Sequence, residues 1–503
     1  MKPARFTIDP AFVVGPVDRR LFGTFVEHLG RCVYTGVYEP THPTANEHGF
    51  RQDVLELARE LGITIVRYPG GNFVSGYDWE DGVGPREDRP TRLDLAWRSI
   101  ENNEVGTDEF MRWAELAEVE PMMAVNLGTR GVDAARALVE YCNHPGGTSR
   151  SDFRAANGHT EPYAVPVWCL GNEMDGPWQT GQKTALEYGR LAAEAGKAMK
   201  QLDPTIELVA CGSSSRSMPT FGAWEATVLQ QCYDVVDYIS LHAYYEQDGD
   251  DLDSFLASSC DMDAFIESVV ATCDHVRARV RSDRRINLSF DEWNVWYQTQ
   301  LGDLSGRDWE KHPALIEDVY TLADAIVVGT LLITLLRHAD RVRIACLAQL
   351  VNAIAPIMTE PGGPAWRQTI FYPFALAAAH SRDGVVLQVE PAVPTIKTSR
   401  YGAVSALEAT AVWHENRGEL IILAANRNTD EPLELEVTVR DLGDFAAVAH
   451  TTLAGPDPML TNTKEQPDRV RPVQVDGARL DGTQLRATIP PMSWNVVRLM
   501  PAQ

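Results

Sequence analysis

The sequence is short of positive charge for its length. Its 503 residues include 45 lysines and arginines against 70 aspartates and glutamates, which gives a net charge of −25. Such an acidic chain repels a phosphate backbone and an anionic membrane surface, so we expect neither nucleic acid nor a membrane as a partner. A well-hydrated surface is the simplest explanation of the acidity, and electrostatic steering of a particular ligand is the alternative.

Long apolar runs and paired cysteines are also missing. No run of about 18 apolar residues occurs, and the first ten residues lack the apolar segment of a signal peptide. The eight cysteines form no C-x-x-C pair. Cys169 and Cys346 lie inside apolar runs, where a reduced thiol acts as a small hydrophobic group. We therefore expect a reducing compartment and a cytoplasmic protein.

Cofactor motifs are absent as well. The segment from Gly176 to Thr184 resembles a phosphate-binding loop but has Gln182 in place of the required lysine. No dinucleotide fingerprint is found, and no histidine–cysteine cluster has the spacing of a zinc site. The sequence thus predicts a protein with no metal and no organic cofactor.

Between about residue 20 and residue 360, short apolar runs alternate with stretches of helical period, a pattern typical of repeated βα units. Gln52–Leu61 is one predicted helix, ended by Gly62, and Ala185–Gln201 is another. Eight such units predict a (β/α)₈ barrel. The eight predicted strand regions are Phe22–Glu27, Ile65–Tyr68, Met122–Asn126, Val167–Glu173, Ile206–Gly212, Val236–Tyr244, Asn287–Glu292 and Ala345–Asn352.

After about residue 385 the pattern changes to short strands without helical period, such as Leu420–Ala425 and Leu433–Val439. This change predicts a β-sandwich. The strand-like segment Arg5–Ile8 precedes the barrel and is a candidate to pair into the same sandwich. The predicted domains are a barrel of residues 18–384 and a sandwich built from residues 1–17 together with 385–503.

Two glutamates stand at the ends of predicted strands. Glu173 follows Asn172 after the fourth strand, and Glu292 ends the seventh, 119 positions later. Glycoside hydrolysis needs two carboxyl groups, one to protonate the leaving oxygen and one to meet the sugar carbon. We assign Glu173 as general acid and base and Glu292 as nucleophile. The structural alternative for Glu173 is a surface residue that caps the following helix.

Cationic and polar groups are predicted around these carboxylates. Arg67, at the end of the second strand, is expected to hold Glu292 ionised while Glu173 stays protonated. His242 and Tyr244 lie two positions apart and point the same way, so one can contact the nucleophile and the other the substrate. Purely structural roles for Arg67 and His242 remain open at this point.

The chain resembles the α-L-arabinofuranosidases of glycoside hydrolase family 51, which are retaining barrel hydrolases. The resemblance runs almost end to end and is specific because its motifs occur together and in order. These motifs are Phe25–Arg31, Arg67–Phe73, Leu93–Trp97, Cys169–Trp178, His242–Tyr245, Asp291–Tyr297 and Ala348–Asn352.

The resemblance implies a role for each matched residue. Glu173 would be the acid/base, Glu292 the nucleophile, and Arg67 and His242 would support the nucleophile. It further implies a jelly-roll-like sandwich joined by the amino-terminal strand, a homohexamer, and arabinofuranose-containing oligosaccharides as substrates. The residues implied to bind the furanose hydroxyls are Glu27, Asn72, Asn172, Tyr244 and Gln349, and those implied to shape the pocket rim are Trp97 and Trp296.

Two other functions remain possible from the sequence. One is a related barrel glycosidase of different specificity, such as an endo-glucanase or a β-xylosidase, because many barrels share the two carboxylates. The other is a carbohydrate-binding protein without turnover, against which the presence of both glutamates argues.

Overall fold

The computed structural model describes residues 2–501 and has a barrel packed against a two-sheet sandwich. Eight parallel strands close into the barrel, and all eight predicted strand regions supply one strand each. The predicted fold class is therefore confirmed. In chain order the barrel strands, called first to eighth below, are Gly23–Phe25, Ile65–Tyr68, Glu120–Ala124, Val167–Leu170, Glu207–Ala210, Tyr238–Tyr245, Asn287–Val295 and Val342–Leu347.

Several strand ends differ from the prediction. The fourth strand ends at Leu170 rather than Glu173, and the eighth ends at Leu347, well before Asn352. The polar residues beyond these ends belong to loops, where side chains are free to turn toward the barrel axis. The sixth and seventh strands instead run past their predicted ends, to Tyr245 and Val295.

Helices cover the outside of the barrel. The predicted helix Gln52–Leu61 has the predicted bounds, and Gly62 ends it in the left-handed conformation with φ of 78°. The other helices are Thr107–Ala117, Val132–Asn143, Ser149–Ala156, Ala185–Leu202, Ala223–Cys232, Leu252–Leu256, Ser259–Val280, Leu322–Arg337 and Phe371–Ser381. No helix within residues 2–501 has the length and apolar character needed to cross a membrane.

The sandwich includes chain from both ends of the sequence. Lys2–Ile8 runs parallel to Leu433–Val439 in the smaller sheet, and Val13–Pro16 pairs with Val385–Leu387 in the larger one. These pairings support the proposed boundaries at residues 17/18 and 384/385. In the smaller sheet, neighbouring strands follow the order Lys2–Ile8, Leu433–Val439, Gln484–Ile489, Arg479–Asp481. In the larger sheet the strand order is Val13–Pro16, Val385–Leu387, Leu407–His414, Glu419–Asn426, Ser493–Met500, Ala447–Leu453, Val473–Gln474.

One sandwich strand is buried on both faces. In Glu419–Asn426, alternate residues such as Ile422 belong to the sandwich core, while their neighbours, such as Ile421, belong to the barrel core. The larger sheet packs against the helix Leu322–Arg337, where Trp494 lies over Gly329. This contact explains why the strand reads as a continuous apolar run rather than as a strict alternation.

Short strands in four loops complete the structure. Arg92–Asp94 and Ser99–Glu101 form a hairpin in the loop after the second barrel strand, and Glu310–Lys311 from the loop after the seventh strand pairs with it. Two loops at the carboxyl end of the barrel are thereby joined. The remaining hairpins are Ile357–Thr359 with Ala365–Arg367 and Thr395–Thr398 with Gly402–Ser405.

Candidate active site

The predicted site residues converge at the carboxyl ends of the barrel strands, which is where the active sites of such barrels lie. Most of their side chains are buried, and Asn72, Tyr244 and Trp296 are half-buried. The buried group consists of Glu27, Arg67, Trp97, Asn172, Glu173, His242, Glu292 and Gln349.

A tight turn after the fourth strand aims Glu173 into the barrel. Gly171 has a φ of 94°, a conformation that glycine adopts without steric cost. Glu173 itself has a φ of 44°, in the left-handed region that residues with a Cβ seldom occupy. Strain of this kind persists where the surrounding structure enforces it, and it is common at functional sites.

The carboxyl groups of Glu173 and Glu292 face each other across His242. The Nδ1 atom of His242 is 2.8 Å from Oε1 of Glu173 and 3.5 Å from Oε2 of Glu292. One oxygen of each glutamate and a nitrogen of His242 all lie within 4.8 Å of one another. The two carboxyl groups therefore lie beside the same ring nitrogen, Nδ1 of His242.

Glu292 accepts hydrogen bonds on both of its oxygens. Arg67 donates from Nη1 to Oε1 at 2.6 Å, and Tyr244 donates its hydroxyl to Oε2 at 2.8 Å. Arg67 also donates from Nη2 to Oδ1 of Asn172 at 2.7 Å, which orients the amide beside Glu173.

Several opposing effects act on the pKa of Glu292, whereas the sequence analysis considered only the charge of Arg67. Burial raises the pKa of Glu292, the charges of His242 and Arg67 oppose this shift, and the nearby Glu173 reinforces it. The net direction is upward because desolvation is the largest cause. Arg67 lies where it was predicted, but it does not by itself set the protonation state of Glu292.

Asp291 is a site residue that the sequence reasoning missed. Its Oδ1 is 3.1 Å from Nε2 of His242, and its Oδ2 is 3.7 Å from Nε of Arg67. In a regular strand, Asp291 and Glu292 would point to opposite faces. The pairing of the seventh strand with both of its neighbours shifts register near these residues, and this irregularity brings both side chains into the site.

Each ring nitrogen of His242 contacts a carboxylate, Nδ1 that of Glu173 and Nε2 that of Asp291. Burial alone would lower its pKa, but the charge of Glu292 and the hydrogen bonds to Asp291 and Glu173 outweigh this effect and raise the pKa of His242 well above its usual value. The pKa of Asp291 moves the other way, because Arg67 and His242 overcome its desolvation and lower it. We therefore treat His242 as an imidazolium.

Glu27 joins three loops at the base of the site. Its Oε1 accepts hydrogen bonds from the backbone N–H of Phe73 and from Nε1 of Trp97, both at 2.9 Å, and its Oε2 accepts one from Nε2 of Gln349 at 3.0 Å. Burial raises the pKa of Glu27 to about 8. Oε1 of Gln349 is buried without a protein hydrogen-bond partner, so it is available to a ligand hydroxyl.

The half-buried residues line the approach to this centre. Oδ1 of Asn72 lies 3.3 Å from Nδ2 of Asn172, and the ring of Trp296 packs edge-on against Tyr244 with centroids 5.0 Å apart. A cavity of about 710 Å³ adjoins Trp296 and is also lined by Met459 of the sandwich.

Trp178 is a second residue that the sequence reasoning left without a role. It donates from Nε1 to Oε2 of Glu173 at 2.7 Å, although its side chain is 51% exposed. The sequence shows only that Trp178 is five positions from Glu173, and a loop of that length can place the ring anywhere.

Glu173, His242 and Glu292 are also the one cluster within residues 2–501 whose spacing would suit a metal ion. Their facing atoms already bond to one another, and the cationic Arg67 and His242 supply positive charge beside the carboxylates. A metal at this point would have to displace the proton shared by His242 and Glu173, because a ligating histidine must be neutral.

A closed (β/α)₈ barrel with two buried carboxylates at the ends of its fourth and seventh strands has the architecture of a glycoside hydrolase. Comparisons with known proteins agree with this class. Residues 57–261 match the model of the α-L-arabinofuranosidase 1 domain, and residues 291–493 match that of the α-L-arabinofuranosidase C-terminal domain.

Similar proteins match nearly the whole chain. An intracellular exo-α-(1→5)-L-arabinofuranosidase of Streptomyces lividans is 60% identical over 99% of this chain and 75% of that protein. An exo-α-(1→6)-L-arabinofuranosidase of Bifidobacterium longum is 50% identical over 99% of this chain and 98% of that protein. The solved structure of a family 51 α-L-arabinofuranosidase from Bifidobacterium longum aligns with a TM-score of 0.95 and 49% identity, and the alignment covers 99% of this chain and 100% of that one.

The chain therefore belongs to the α-L-arabinofuranosidases of glycoside hydrolase family 51. The resemblance predicted from the sequence is confirmed. These relatives do not favour an endo-glucanase, a β-xylosidase or a non-catalytic binding protein.

Proposed function

We propose that this protein hydrolyses terminal non-reducing α-L-arabinofuranosyl residues of arabinose-containing oligosaccharides with retention of configuration. The observation that carries the mechanism is the approach of Glu173 and Glu292, with carboxylate oxygens within 4.8 Å of each other. Retaining glycosidases hold these groups about 5–5.5 Å apart, whereas inverting enzymes need about 6.5–9.5 Å to admit a water molecule.

In the first step, Glu292 attacks the anomeric carbon while Glu173 protonates the departing oxygen, so the glycosidic bond breaks and a glycosyl ester forms on Glu292. In the second step, Glu173 takes a proton from a water molecule as the water oxygen attacks the anomeric carbon. The ester bond to Glu292 breaks, which releases arabinose and frees the Glu292 carboxylate. Arg67 and Tyr244 donate hydrogen bonds to Glu292, and these bonds favour the carboxylate that must attack.

The remaining site residues bind the furanose ring in this proposal. Glu27, Asn72, Asn172, Tyr244 and Gln349 offer hydrogen-bonding groups to its hydroxyls in this proposal, and the unpartnered Oε1 of Gln349 supports this role. Trp97 anchors the pocket wall through Glu27, and Trp296 forms another part of the wall. Contacts that strengthen as the ring approaches an oxocarbenium ion raise the rate of the chemical step.

The test compares aryl α-L-arabinofuranoside with aryl β-xyloside and aryl β-glucoside, using the wild type and Glu292→Ala. We expect rapid release from the arabinofuranoside and a loss of several orders of magnitude in the variant. Proton NMR of the first-formed arabinose then reports the stereochemistry. Equal turnover of another glycoside would contradict the specificity, and activity that survives in Glu292→Ala would contradict the assignment of the nucleophile.

We also propose a cytoplasmic location and a homohexameric assembly. The location is supported by eight free thiols, seven of them buried, and by the relative named as intracellular. The hexamer rests on the family resemblance. Light scattering of the purified protein tests it, since a solution mass other than six times that of the chain would contradict it.

A further inference from the structure

The hydroxyl of Tyr188 lies between the ends of the fourth and fifth barrel strands. It donates to the backbone carbonyl of Leu170 at 2.8 Å and accepts from the backbone N–H of Cys211 at 2.7 Å. Tyr188 belongs to the helix Ala185–Leu202 and is completely buried. Its hydroxyl therefore satisfies two backbone groups that have no access to water.

This hydroxyl replaces one hydrogen bond of the barrel sheet. Four residues before Leu170, the carbonyl of Pro166 accepts directly from the N–H of Glu207 on the fifth strand, at 2.8 Å. In a parallel ladder every second residue of a strand bonds to the same neighbour, so the carbonyl of Leu170 faces the N–H of Cys211. The hydroxyl of Tyr188 stands between these two groups and keeps the strand ends apart.

The separated strand ends lie directly before Glu173. The fourth strand ends at Leu170, and Gly171 then turns the chain with a φ of 94°. Glu173 has a φ of 44°, and a left-handed conformation of this kind persists only when the surrounding structure enforces it. On the far side of the turn, the N–H of Gly176 donates to the carbonyl of Glu173 at 2.8 Å. Tyr188 holds the near side.

A second aromatic residue fixes Tyr188 in place. The ring of Trp224 stacks on that of Tyr188 with centroids 5.5 Å apart and an angle of 11° between the planes. Nε1 of Trp224 donates to the carbonyl of Cys211 at 2.9 Å, on the same residue whose N–H binds Tyr188. Both rings are buried, so neither can rotate away without opening the packed core.

We propose that Tyr188 is a positioning residue for the general acid, because its hydroxyl sets the place of Glu173 through the end of the fourth strand. The inference rests on the proposed function, since it concerns proton transfer to the leaving oxygen. Without the hydroxyl, the N–H of Cys211 bonds directly to the carbonyl of Leu170 and draws the end of the fourth strand toward the fifth. Glu173 then moves away from the leaving oxygen, while Glu292 on the seventh strand stays in place. A misplacement of about 1 Å can lower a rate about 100-fold.

The experiment uses Tyr188→Phe and a series of aryl α-L-arabinofuranosides whose leaving groups range from phenol to dinitrophenol. Phenol is a weak acid, so its anion leaves only with help from the proton of Glu173, whereas the dinitrophenol anion leaves unaided. We expect kcat/KM for the phenyl substrate to fall about 10- to 100-fold, and that for the dinitrophenyl substrate to stay within about threefold of the wild type. A merely structural defect would lower both values by the same factor.

The second chemical step supplies an independent measurement. Glu173 must there take a proton from water, so kcat for the dinitrophenyl substrate should fall about 10-fold in Tyr188→Phe as hydrolysis of the glycosyl ester becomes limiting. Azide is an anion that attacks the anomeric carbon without losing a proton. We expect azide to restore kcat in the variant with formation of an arabinosyl azide, and to leave kcat of the wild type unchanged.

Tyr233→Phe is the matched control. The buried Tyr233 also donates its hydroxyl to a backbone carbonyl, that of Arg284 at 3.2 Å, but it precedes the sixth strand and lies at the end of the barrel opposite the site. This variant should match the wild type with every leaving group and should not respond to azide.

A second variant, Trp224→Phe, keeps an aromatic ring and removes the N–H that is bonded to the carbonyl of Cys211. It should show the same dependence on the leaving group as Tyr188→Phe, to a smaller extent. If Tyr188→Phe does not fold, Trp224→Phe decides the question, and equal losses with all leaving groups would then overturn the inference.

Three results with Tyr188→Phe overturn the inference: equal losses with all leaving groups, wild-type kcat/KM throughout, or a loss of kcat that azide does not restore. If the wild type hydrolyses no arabinofuranoside, the proposed function and the inference fall together. If the wild type is active and the variant shows no dependence on the leaving group, the inference alone fails.

Discussion

Replacement of Asp291 by asparagine should move the pH dependence of this enzyme toward acid. Asp291 contacts His242 at 3.1 Å and lies 3.7 Å from Arg67, and both cations also face Glu292. Asparagine keeps the size of the side chain and removes its charge. Loss of a buried negative charge lowers the pKa of every acid that it faces, including the imidazolium of His242.

The size of the shift follows from the contact that is lost. A hydrogen bond between charged groups contributes about 1.5–3 kcal/mol, and one pH unit corresponds to about 1.36 kcal/mol, so we expect a shift of about 1–2 units. The raised pKa of His242 stabilises the fold at pH values below its unfolded value, and this contribution is lost as the pH rises through the folded value. In Asp291→Asn that loss should occur at lower pH.

The assay measures kcat/KM for an aryl α-L-arabinofuranoside as a function of pH, from the acid to the alkaline limb of the profile. Thermal unfolding is measured over the same pH range. Asp291→Glu keeps the charge and should leave the alkaline limb near its wild-type position. Asp108→Asn is the control for loss of a hydrogen-bonded carboxylate away from the site, because the half-buried Asp108 accepts hydrogen bonds from Tyr141 and Tyr163. A folded Asp291→Asn variant with an unshifted alkaline limb would refute the reasoning.

Three further predictions concern the hydroxyl of Tyr244, the packing at Gly329 and the need for a metal ion. Tyr244→Phe removes the hydroxyl that donates a hydrogen bond to Glu292 at 2.8 Å. In the aryl arabinofuranoside assay this change should lower kcat about 10- to 100-fold. A kcat equal to that of the wild type would exclude the hydrogen bond from the mechanism. Gly329→Ala would place a Cβ 2.3 Å from the Trp494 ring and should cost about 1–3 kcal/mol of unfolding free energy, whereas Gly146→Ala, with open space around it, should cost less. Treatment with a chelator should leave kcat unchanged, because Arg67 and His242 already supply the positive charge at the carboxylates; activity lost to the chelator and restored by a divalent metal would contradict this.

Much of the fold was accessible from local pattern alone. Each of the eight barrel strands coincides with a short apolar run, and Gln52–Leu61 with Gly62 was predicted to the residue. These features depend on hydrophobic periodicity and on the preference of glycine for left-handed helix ends, both of which act over a few residues. The strand ends were predicted less well, since polar residues just beyond Leu170 and Leu347 look the same in a strand or in a loop.

Some residues of the candidate site were likewise predicted from local pattern, and others were not. Glu173 and Glu292 are visible in the sequence because each lies at the carboxyl end of a predicted strand, and parallel strands in a barrel bring these ends to one face. Asp291 and Trp178 were missed for physical reasons. Local alternation places Asp291 on the wrong side of its strand, and only the shifted register with the neighbouring strands turns it toward His242. The contact of Trp178 with Glu173 depends on how a half-exposed loop packs.

The sequence by itself determined the class of fold, the family, and the two carboxylates, because these depend on residue type and on spacing along the chain. Tertiary structure alone decided which hydrogen bonds those carboxylates accept and how burial and neighbouring charges shift their protonation. Glu292 meets Arg67 across 225 positions of chain, and His242 meets Glu173 across 69. Such contacts arise only when the barrel closes, because closure sets the strand register and removes water from the charges it brings together.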